Sequence, residues 1–258
     1  AFTGRLWVYV GDKLHPYTVC DYTPSRKRDG PQLFPGGYTG YLQADAFQGY
    51  DGIYAGGEVL EAACWAHARR YFYNARSSDP DRAHRVLAWI RQLYKIEREA
   101  KKLDAEGRRA LRQEKSRPIL FGSEQSEDEE RKQGLRQWLI EQQTQALPKS
   151  PIGQAISYTL NNWQALARYL DDGDLDIDNN QAEQALRSIA VGRKNWLFLG
   201  SERGGRAAAV YYSLIQSAKR HNVEPFAYLR DVLLRLTPAP PADLGALLPD
   251  RWKAALQS

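Results

Sequence analysis

The pattern of hydrophobic and polar positions divides the chain into a strand-rich first quarter and a longer, mainly helical remainder. Arg5–Val10 and Tyr17–Tyr22 are rich in aromatic and β-branched residues and flank turn residues at Gly11–Lys13, which predicts a β-hairpin. Tyr41–Asp45 predicts a third strand that ends in a carboxylate. Glu58–Trp65 predicts a fourth strand that runs directly into a helix.

Helical spacing of apolar residues dominates from about residue 67 to residue 172. Ser150 and Pro151 form a helix start, with serine as the N-cap and proline at the first helical position. The apolar positions from Ile152 to Leu170 predict one buried helix face. The charge-mixed stretch from Arg98 to Arg112 is interpreted as a solvated helix face. A block of helices is therefore expected between the strands and the next motif.

A second helical region follows this block. Asn180–Glu183 has the sequence of a capping box, in which Asn180 caps a helix and Glu183 reaches back to its backbone N–H. Trp196–Leu199 predicts a short strand or hairpin arm, and Gly204 and Gly205 predict a break in the chain. Two further helices are predicted at 206–221 and 225–236.

Composition restricts the classes of protein without selecting one. The chain has 258 residues, 43% of them hydrophobic, and a net charge of +5, which permits a polyanionic partner without requiring one. Two cysteines cannot form a disulfide framework or a four-cysteine zinc site. Cys64 and His67 have a zinc-like spacing but lack a second pair, so a buried thiol in a reducing cytoplasm is favoured. No apolar run approaches the ~20 residues of a membrane span.

Two carboxylates are the candidate catalytic residues. Asp45 ends a predicted strand, and Glu183 lies in the first turn of a predicted helix, 183 − 45 = 138 residues later. Hard carboxylate oxygens suit Mg²⁺ or Mn²⁺, and a pair of such ions beside a phosphate is the arrangement of two-metal nucleases. Each residue also has a purely structural interpretation, because Glu183 fits a helix cap and strands often end in aspartate.

Basic and aromatic residues are the candidate DNA contacts. Cations neutralise phosphates, and aromatic rings stack on unpaired bases. Each candidate also has a structural alternative. In it, the residues from 193 to 206 form a solvated hairpin, Arg69 and Arg70 cover the surface of a helix, and His67 is a partly buried structural residue. The candidates are Arg69, Arg70, Arg193, Lys194, Trp196, Arg203 and Arg206, with His67 and Asn180 as supporting site residues.

Seven segments together carry a family resemblance that covers nearly the whole chain. The segments are Gly4–Asp12, Asp21–Arg26, Gly40–Tyr50, Cys64–Phe72, Asp178–Gly205, Tyr212–Arg230 and Leu247–Trp252. In these segments the chain resembles the DDE transposases of the insertion-sequence sixty-six family.

The resemblance implies an α/β fold with an RNase H-like core and a large helical insertion before the last catalytic helix. It implies Asp45 and Glu183 as the second and third acidic residues of the triad. The first aspartate is expected on an upstream strand that this chain lacks, and neither Asp12 nor Asp21 replaces it. The implied divisions are 1–66 for the first part of the core, 67–177 for the insertion, 178–222 for the second part with a basic hairpin, and 223–258 for a C-terminal helix and tail.

The implied function is metal-dependent cleavage and strand transfer of an insertion element, with Mg²⁺ or Mn²⁺ as cofactor. The implied partners are the element ends and target DNA, other copies of the chain, and element-encoded helper proteins. The implied location is the bacterial cytoplasm, on the nucleoid when DNA is bound. Because the first aspartate is missing and the sequence contains no methionine, we expect an inactive fragment. A non-catalytic DNA-binding remnant and an RNase H-like nuclease are the alternatives.

Overall fold

The computed structural model describes residues 4–24, 37–45, 50–126, 129–196, 198–236 and 243–257. These residues form a mixed α/β structure that is mostly helical, as the sequence predicts. The chain divides into a terminal unit, residues 1–36 with 180–258, and a central unit, residues 37–179. Within the described ranges, no helix combines the length and apolar character needed to cross a membrane.

The helices and strands follow in chain order, with short π- and 3-10 segments between some of the α-helices. They are β1 Arg5–Val10, β2 Thr18–Thr23, β3 Gly40–Gln43, α1 Asp51–Tyr54, β4 Val59–Ala62, α2 Trp65–Ala75, α3 Pro80–Ala100, α4 Ala105–Leu111, a π-helix Arg112–Ser116, α5 Arg117–Phe121, α6 Glu129–Gln145, α7 Pro151–Asn161, α8 Trp163–Ala167, a 3-10 turn Arg168–Leu170, α9 Asn180–Trp196, α10 Glu202–Arg220, α11 Pro225–Leu236, a 3-10 turn Leu244–Leu247 and α12 Pro249–Gln257.

The predicted hairpin is confirmed in the terminal unit. β1 and β2 pair antiparallel, with Val8 opposite Cys20. Helix α10 covers this hairpin, and its serines bond to the backbone of β2. Ser217 Oγ accepts from the amide of Thr18 at 3.1 Å and donates to the Thr18 carbonyl at 2.9 Å. Ser213 Oγ accepts from the Cys20 amide at 2.8 Å. These serines satisfy strand groups that would otherwise lack partners at the sheet edge.

The predicted break at Gly204 and Gly205 is wrong, because both residues lie inside α10. Ser201 caps this helix, with its hydroxyl accepting from the Gly204 amide. Glycine is needed at 205 for packing. A β-carbon there would lie 2.4 Å from Cε2 of Tyr22, and one at Gly4 would lie equally close to the same ring atom. The two glycines thus leave room for the Tyr22 ring.

Gly205→Ala is expected to lower the free energy of unfolding by about 1–3 kcal/mol, because the added methyl overlaps the Tyr22 ring. The higher helix propensity of alanine would by itself raise the free energy of unfolding by about 1 kcal/mol. The sign of the measured change therefore shows whether packing or helix propensity dominates. Urea denaturation measures it. The same substitution made on a Tyr22→Ala background should be neutral or stabilising; a stabilising effect in the presence of Tyr22 would contradict the packing account.

The C-terminal elements form a small core of their own in the terminal unit. The helix predicted from Pro225 is confirmed as α11, and its Tyr228 is buried with its hydroxyl donating to the Leu247 carbonyl at 2.8 Å. Trp252 of α12 packs edge-on against the Tyr228 ring and donates its Nε1–H to Asp231 at 2.7 Å. Leu247 and Trp252 are therefore packed against α11.

The central unit joins a parallel pair of strands to the helical block. β3 and β4 pair in parallel, with Tyr41 opposite Leu60. Ser150 caps α7 as predicted, accepting from the Gly153 amide at 3.1 Å. The single long helix face expected from 152 to 170 is instead shared by α7, α8 and a 3-10 turn. Trp65 lies fully buried in this core and donates its Nε1–H to the Leu166 carbonyl at 2.8 Å.

The interpretation of Arg98–Arg112 as a solvated face is wrong at its end. Arg112 is 1% exposed and bonds to both carboxylate oxygens of Glu97, at 2.9 and 2.7 Å. Its Nη1 also donates to the carbonyls of Tyr169 and Asp172. Through these acceptors the buried guanidinium joins α3 to the segment after α8. The pattern of charges along one helix does not predict such a contact.

Candidate functional site

Asp45 lies where the sequence places it, just beyond the carboxyl end of a strand. β3 ends at Gln43, and the Ala44 amide still donates to the Ala62 carbonyl at 3.1 Å, so pairing with β4 continues to the residue before Asp45. Ala44 is buried and Asp45 is exposed. The carboxylate is thus held next to a rigid strand end while remaining accessible to a ligand.

The segment 176–179, here called the strap, is fixed against this end of the parallel pair. Gln43 of β3 donates its side-chain amide to the Asp176 carbonyl at 2.6 Å. The Trp65 amide, at the start of α2, donates to the Ile177 carbonyl at 3.1 Å. The Asn179 amide lies 3.5 Å from Cys64 Sγ, which accepts from it. The sequence motif contains the strap, but these contacts with residues more than 100 positions away could not be read from it.

Two tyrosines complete the polar surroundings of the central unit's strand ends, and sequence reasoning missed both. Tyr94 of α3 donates its hydroxyl to Asp178 of the strap at 2.8 Å. Burial raises the pKa of Tyr94, and the charge and hydrogen bond of Asp178 raise it further, so the phenol stays a donor. Burial likewise raises the pKa of Tyr158, with nearby negative charges including Asp45 adding to the shift. The Tyr158 ring stacks on Tyr71 at a centroid distance of 4.5 Å.

Glu183 lies in the first turn of α9, which begins at Asn180. The predicted helix start is therefore confirmed, and the Glu183 residue is half-buried. Acidic groups at this position interact favourably with the positive end of the helix dipole. The strap leads directly into this helix along the chain, since Asn179 is followed by Asn180. Asp45 belongs to the central unit and Glu183 to the terminal unit.

The basic segment after Glu183 is not the predicted hairpin over its described residues. Helix α9 continues through Arg193 and Lys194 to Trp196, and Phe198 and Leu199 are not in a strand. The run from Asn180 to Lys194 contains no proline and keeps helical spacing, so the helix extends beyond the glycine at 192. Arg193 and Lys194 are exposed in its last turn, where cations are favoured by the helix dipole.

The remaining predicted DNA contacts are accessible. Arg203 and Arg206 are exposed in the first turns of α10, and Phe198 just before it is 77% exposed. Arg69 and Arg70 are exposed on α2 in the central unit. Leu197 and the side chain of Trp196 lie outside the described residues.

Cys64 lies in the core, as a buried thiol would. Cys64 is fully buried, and burial raises the pKa of its thiol, which keeps it protonated. The buried-thiol interpretation is confirmed for Cys64, and the Cys20 thiol is buried as well. His67 is half-buried near the start of α2. In the parts of the chain that the structure describes, no three His, Cys, Asp or Glu residues cluster so as to hold a metal ion.

Comparison with known proteins identifies the family. The family model described as "Transposase IS66 family" matches residues 2–207, and the one described as "IS66 C-terminal element" matches residues 213–249. No solved structure matches the chain.

Curated relatives occur in Sinorhizobium fredii (strain NBRC 101917 / NGR234). "Uncharacterized protein y4hP" is 34% identical over 98% of this chain and 48% of its own length. "Uncharacterized protein y4qI" is 33% identical over 96% of this chain and 47% of its own, and "Uncharacterized protein y4jD" is 33% identical over 84% and 42%. The chain therefore spans about half the length of the curated relatives it matches. With two family models covering nearly all of its residues, the chain belongs to the IS66, or insertion-sequence sixty-six, family of transposases.

Proposed function

We propose that the chain contributes the catalytic region of a DNA transposase, which cuts the ends of an insertion element and joins them to target DNA with the help of a divalent metal. The observation that carries the proposal is the placement of Asp45 at the end of a parallel strand pair and of Glu183 in the first turn of a helix. Both positions hold a carboxylate on a rigid element, which a metal-assisted reaction requires.

The order of elements supports an RNase H-like core. An antiparallel hairpin, a parallel pair ending in Asp45, a block of helices and the Glu183 helix follow one another along the chain. In this proposal the residues 1–66 and 178–222 make the core, 67–177 make the insertion, and 223–258 make a C-terminal extension. The proposed triad needs a third carboxylate besides Asp45 and Glu183.

The donor chemistry of Asp45 and Glu183 fits Mg²⁺ or Mn²⁺, since both offer hard carboxylate oxygens. A bound metal of this kind activates an attacking oxygen and stabilises the leaving oxygen of a phosphodiester. Asp45 and Glu183 would be the residues of this chain that hold such a metal. The third carboxylate is required because two ligands support a two-metal arrangement poorly.

DNA is the proposed partner because exposed cations lie at and after the end of the Glu183 helix and on the helix that follows β4, the strand paired with β3. Arg193 and Lys194 end the Glu183 helix, and Arg203 and Arg206 begin the next. Phe198 between them offers an exposed ring for stacking on an unpaired base. Arg69 and Arg70 follow β4 on α2. Self-association on DNA, helper proteins encoded by the element and action at the bacterial nucleoid belong to the same proposal.

The experiment compares this chain with an extended chain, in which the same 258 residues follow the upstream strand that carries the third aspartate. Both are incubated with DNA that contains the ends of the encoding element, in Mg²⁺, Mn²⁺ or EDTA. The extended chain should nick the DNA and join its 3′ ends to target DNA with either metal. The 258 residues alone should do neither.

Four results would contradict the proposal. Metal-independent cutting would exclude the carboxylate site, and nicking without joining would favour a nuclease. Nicking by the 258 residues alone that disappears with Asp45→Ala would show that a residue within them completes the site. A chain that binds the DNA but never cuts it would support the non-catalytic remnant.

A further inference from the structure

A row of like charges lies along the exposed side of α3, in the helical insertion. Arg91, Lys95 and Arg98 are exposed at spacings of four and three residues, and Lys102 continues the row four residues later, just past the helix end. Residues at these spacings share one helix face. The opposite face, with Val86, Ile90 and Leu93 among its residues, is buried in the core of the central unit. This row is here called the basic stripe: Arg91, Lys95, Arg98 and Lys102.

The stripe lacks the compensating acids that other helices of the protein carry. In the described parts of the chain, none of its four cations forms an ion pair, whereas Arg109 pairs with Glu106 and Arg235 pairs with Asp231 on their own helices. Glu99, the acid nearest to the stripe along the helix, has its carboxylate 3.0 Å from Lys115 Nζ. That hydrogen bond lowers the pKa of Glu99, with Lys95 and Arg98 adding smaller effects.

This arrangement opposes helix stability when the protein is free. Like charges at i and i+4 on a helix repel each other and destabilise it. The helix dipole explains a cation in the last turn, such as Arg98, but its influence does not reach Arg91 or Lys95 further inside the helix. Glu99 and the helix dipole offset positive charge only near the end of α3. In the described residues no ion pair offsets the repulsion between Arg91 and Lys95, and a bound polyanion would reduce it.

We propose that the basic stripe is a binding surface for the phosphate backbone of duplex DNA. From Arg91 to Lys102 the row extends for roughly 16 Å, at 1.5 Å per residue. A small anion would need cations that converge on one point, whereas a straight row matches the linear charge of a duplex, about one per 1.7 Å of axis. Such contacts position DNA without reading its sequence. The choice of DNA as the polyanion rests on the proposed function.

The test measures binding of the extended chain to a 30-base-pair duplex of arbitrary sequence, by fluorescence anisotropy in EDTA at several salt concentrations. Arg91, Lys95 and Arg98 are changed together to Gln. The matched control changes Arg117, Arg136 and Lys149 to Gln, which removes the same charges from exposed positions elsewhere in the central unit. The stripe variant should bind about 10–100-fold more weakly near 0.1 M salt, and its salt slope should fall by roughly 2.7. The control should change by less than about 3-fold.

A variant that is expected to tighten binding serves as a control, because misfolding would weaken binding instead. Glu99→Gln removes the one negative charge beside the stripe, so it should tighten duplex binding by about 2- to 5-fold. The proposal is overturned if both triple variants lose affinity equally, if neither loses affinity, or if the stripe variant loses binding to phosphatidylserine vesicles but not to the duplex. Because the assay contains no metal, its outcome is independent of nicking, and a failure of the catalytic proposal would leave it unchanged.

Discussion

Replacing Asp45 by Asn, or Glu183 by Gln, is expected to reduce metal-dependent nicking by the extended chain at least ~10³-fold. A metal ion contributes several kcal/mol of transition-state stabilisation, and each 1.36 kcal/mol corresponds to tenfold in rate. Both substitutions keep the shape of the side chain and remove its charge. Asp45 is exposed and Glu183 half-buried, so thermal unfolding and duplex binding should change little. Single-turnover nicking of end-containing DNA measures the effect.

The controls are acidic residues outside the proposed site. Asp12→Asn and Asp21→Asn should retain activity, because these residues lie in the hairpin turn and in β2. Asp45→Cys should be inactive in Mg²⁺ and partly restored by Mn²⁺, since the softer thiolate binds the softer ion better. Retained activity in Asp45→Asn would exclude this residue as a ligand, and a loss in Asp21→Asn would point to a different triad.

Arg112→Met is expected to lower the free energy of unfolding by about 3–5 kcal/mol, the usual cost of leaving one partner of a buried ion pair uncompensated. Methionine keeps the length of the side chain but leaves the Glu97 carboxylate buried without its partner. The Tyr169 and Asp172 carbonyls lose their guanidinium donor as well. Urea denaturation of the extended chain measures the change.

An exposed pair of the same kind provides the control. Arg109 and Glu106 lie 2.8 Å apart with side chains 48% and 75% exposed, so Arg109→Met should lower the stability far less than Arg112→Met does. Adding Glu97→Leu to Arg112→Met should recover much of the lost stability, because a buried pair can often be replaced by apolar groups. Equal effects of Arg112→Met and Arg109→Met would show that the buried pair has no special role.

Local patterns predicted the elements of the fold well where one signal dominated. The hairpin, the strand before Asp45, the Ser150 cap and the helices at Glu183 and Pro225 follow from alternation, caps and periodicity. Two of the errors lie where the structure overrides a local signal. Gly205 looks like a break, but its missing β-carbon makes room for Tyr22, which lies far away in sequence. The aromatic residues after Lys194 look like a strand, although the helix before them continues to Trp196.

Contacts between residues far apart in the chain could not be predicted from local sequence patterns. The strap is held by Gln43, Trp65, Cys64 and Tyr94, each more than 80 residues from its partner. In the sequence, Arg112 is one cation in a stretch of mixed positive and negative charges. Only the tertiary structure shows that it is buried and paired with Glu97. The two candidate carboxylates were identified in the sequence by a strand end, a helix start and a family resemblance, and their ligand role remains a prediction.

Manganese located by anomalous diffraction in a crystal of the extended chain tests the shared metal site most directly. The account predicts a peak within about 2.0–2.4 Å of one carboxylate oxygen from each of Asp45 and Glu183. It also predicts that the two carboxyl groups lie about 4–8 Å apart, the range that shared metal ions can bridge. Carboxyl groups more than about 12 Å apart, with manganese bound elsewhere or absent, would contradict it.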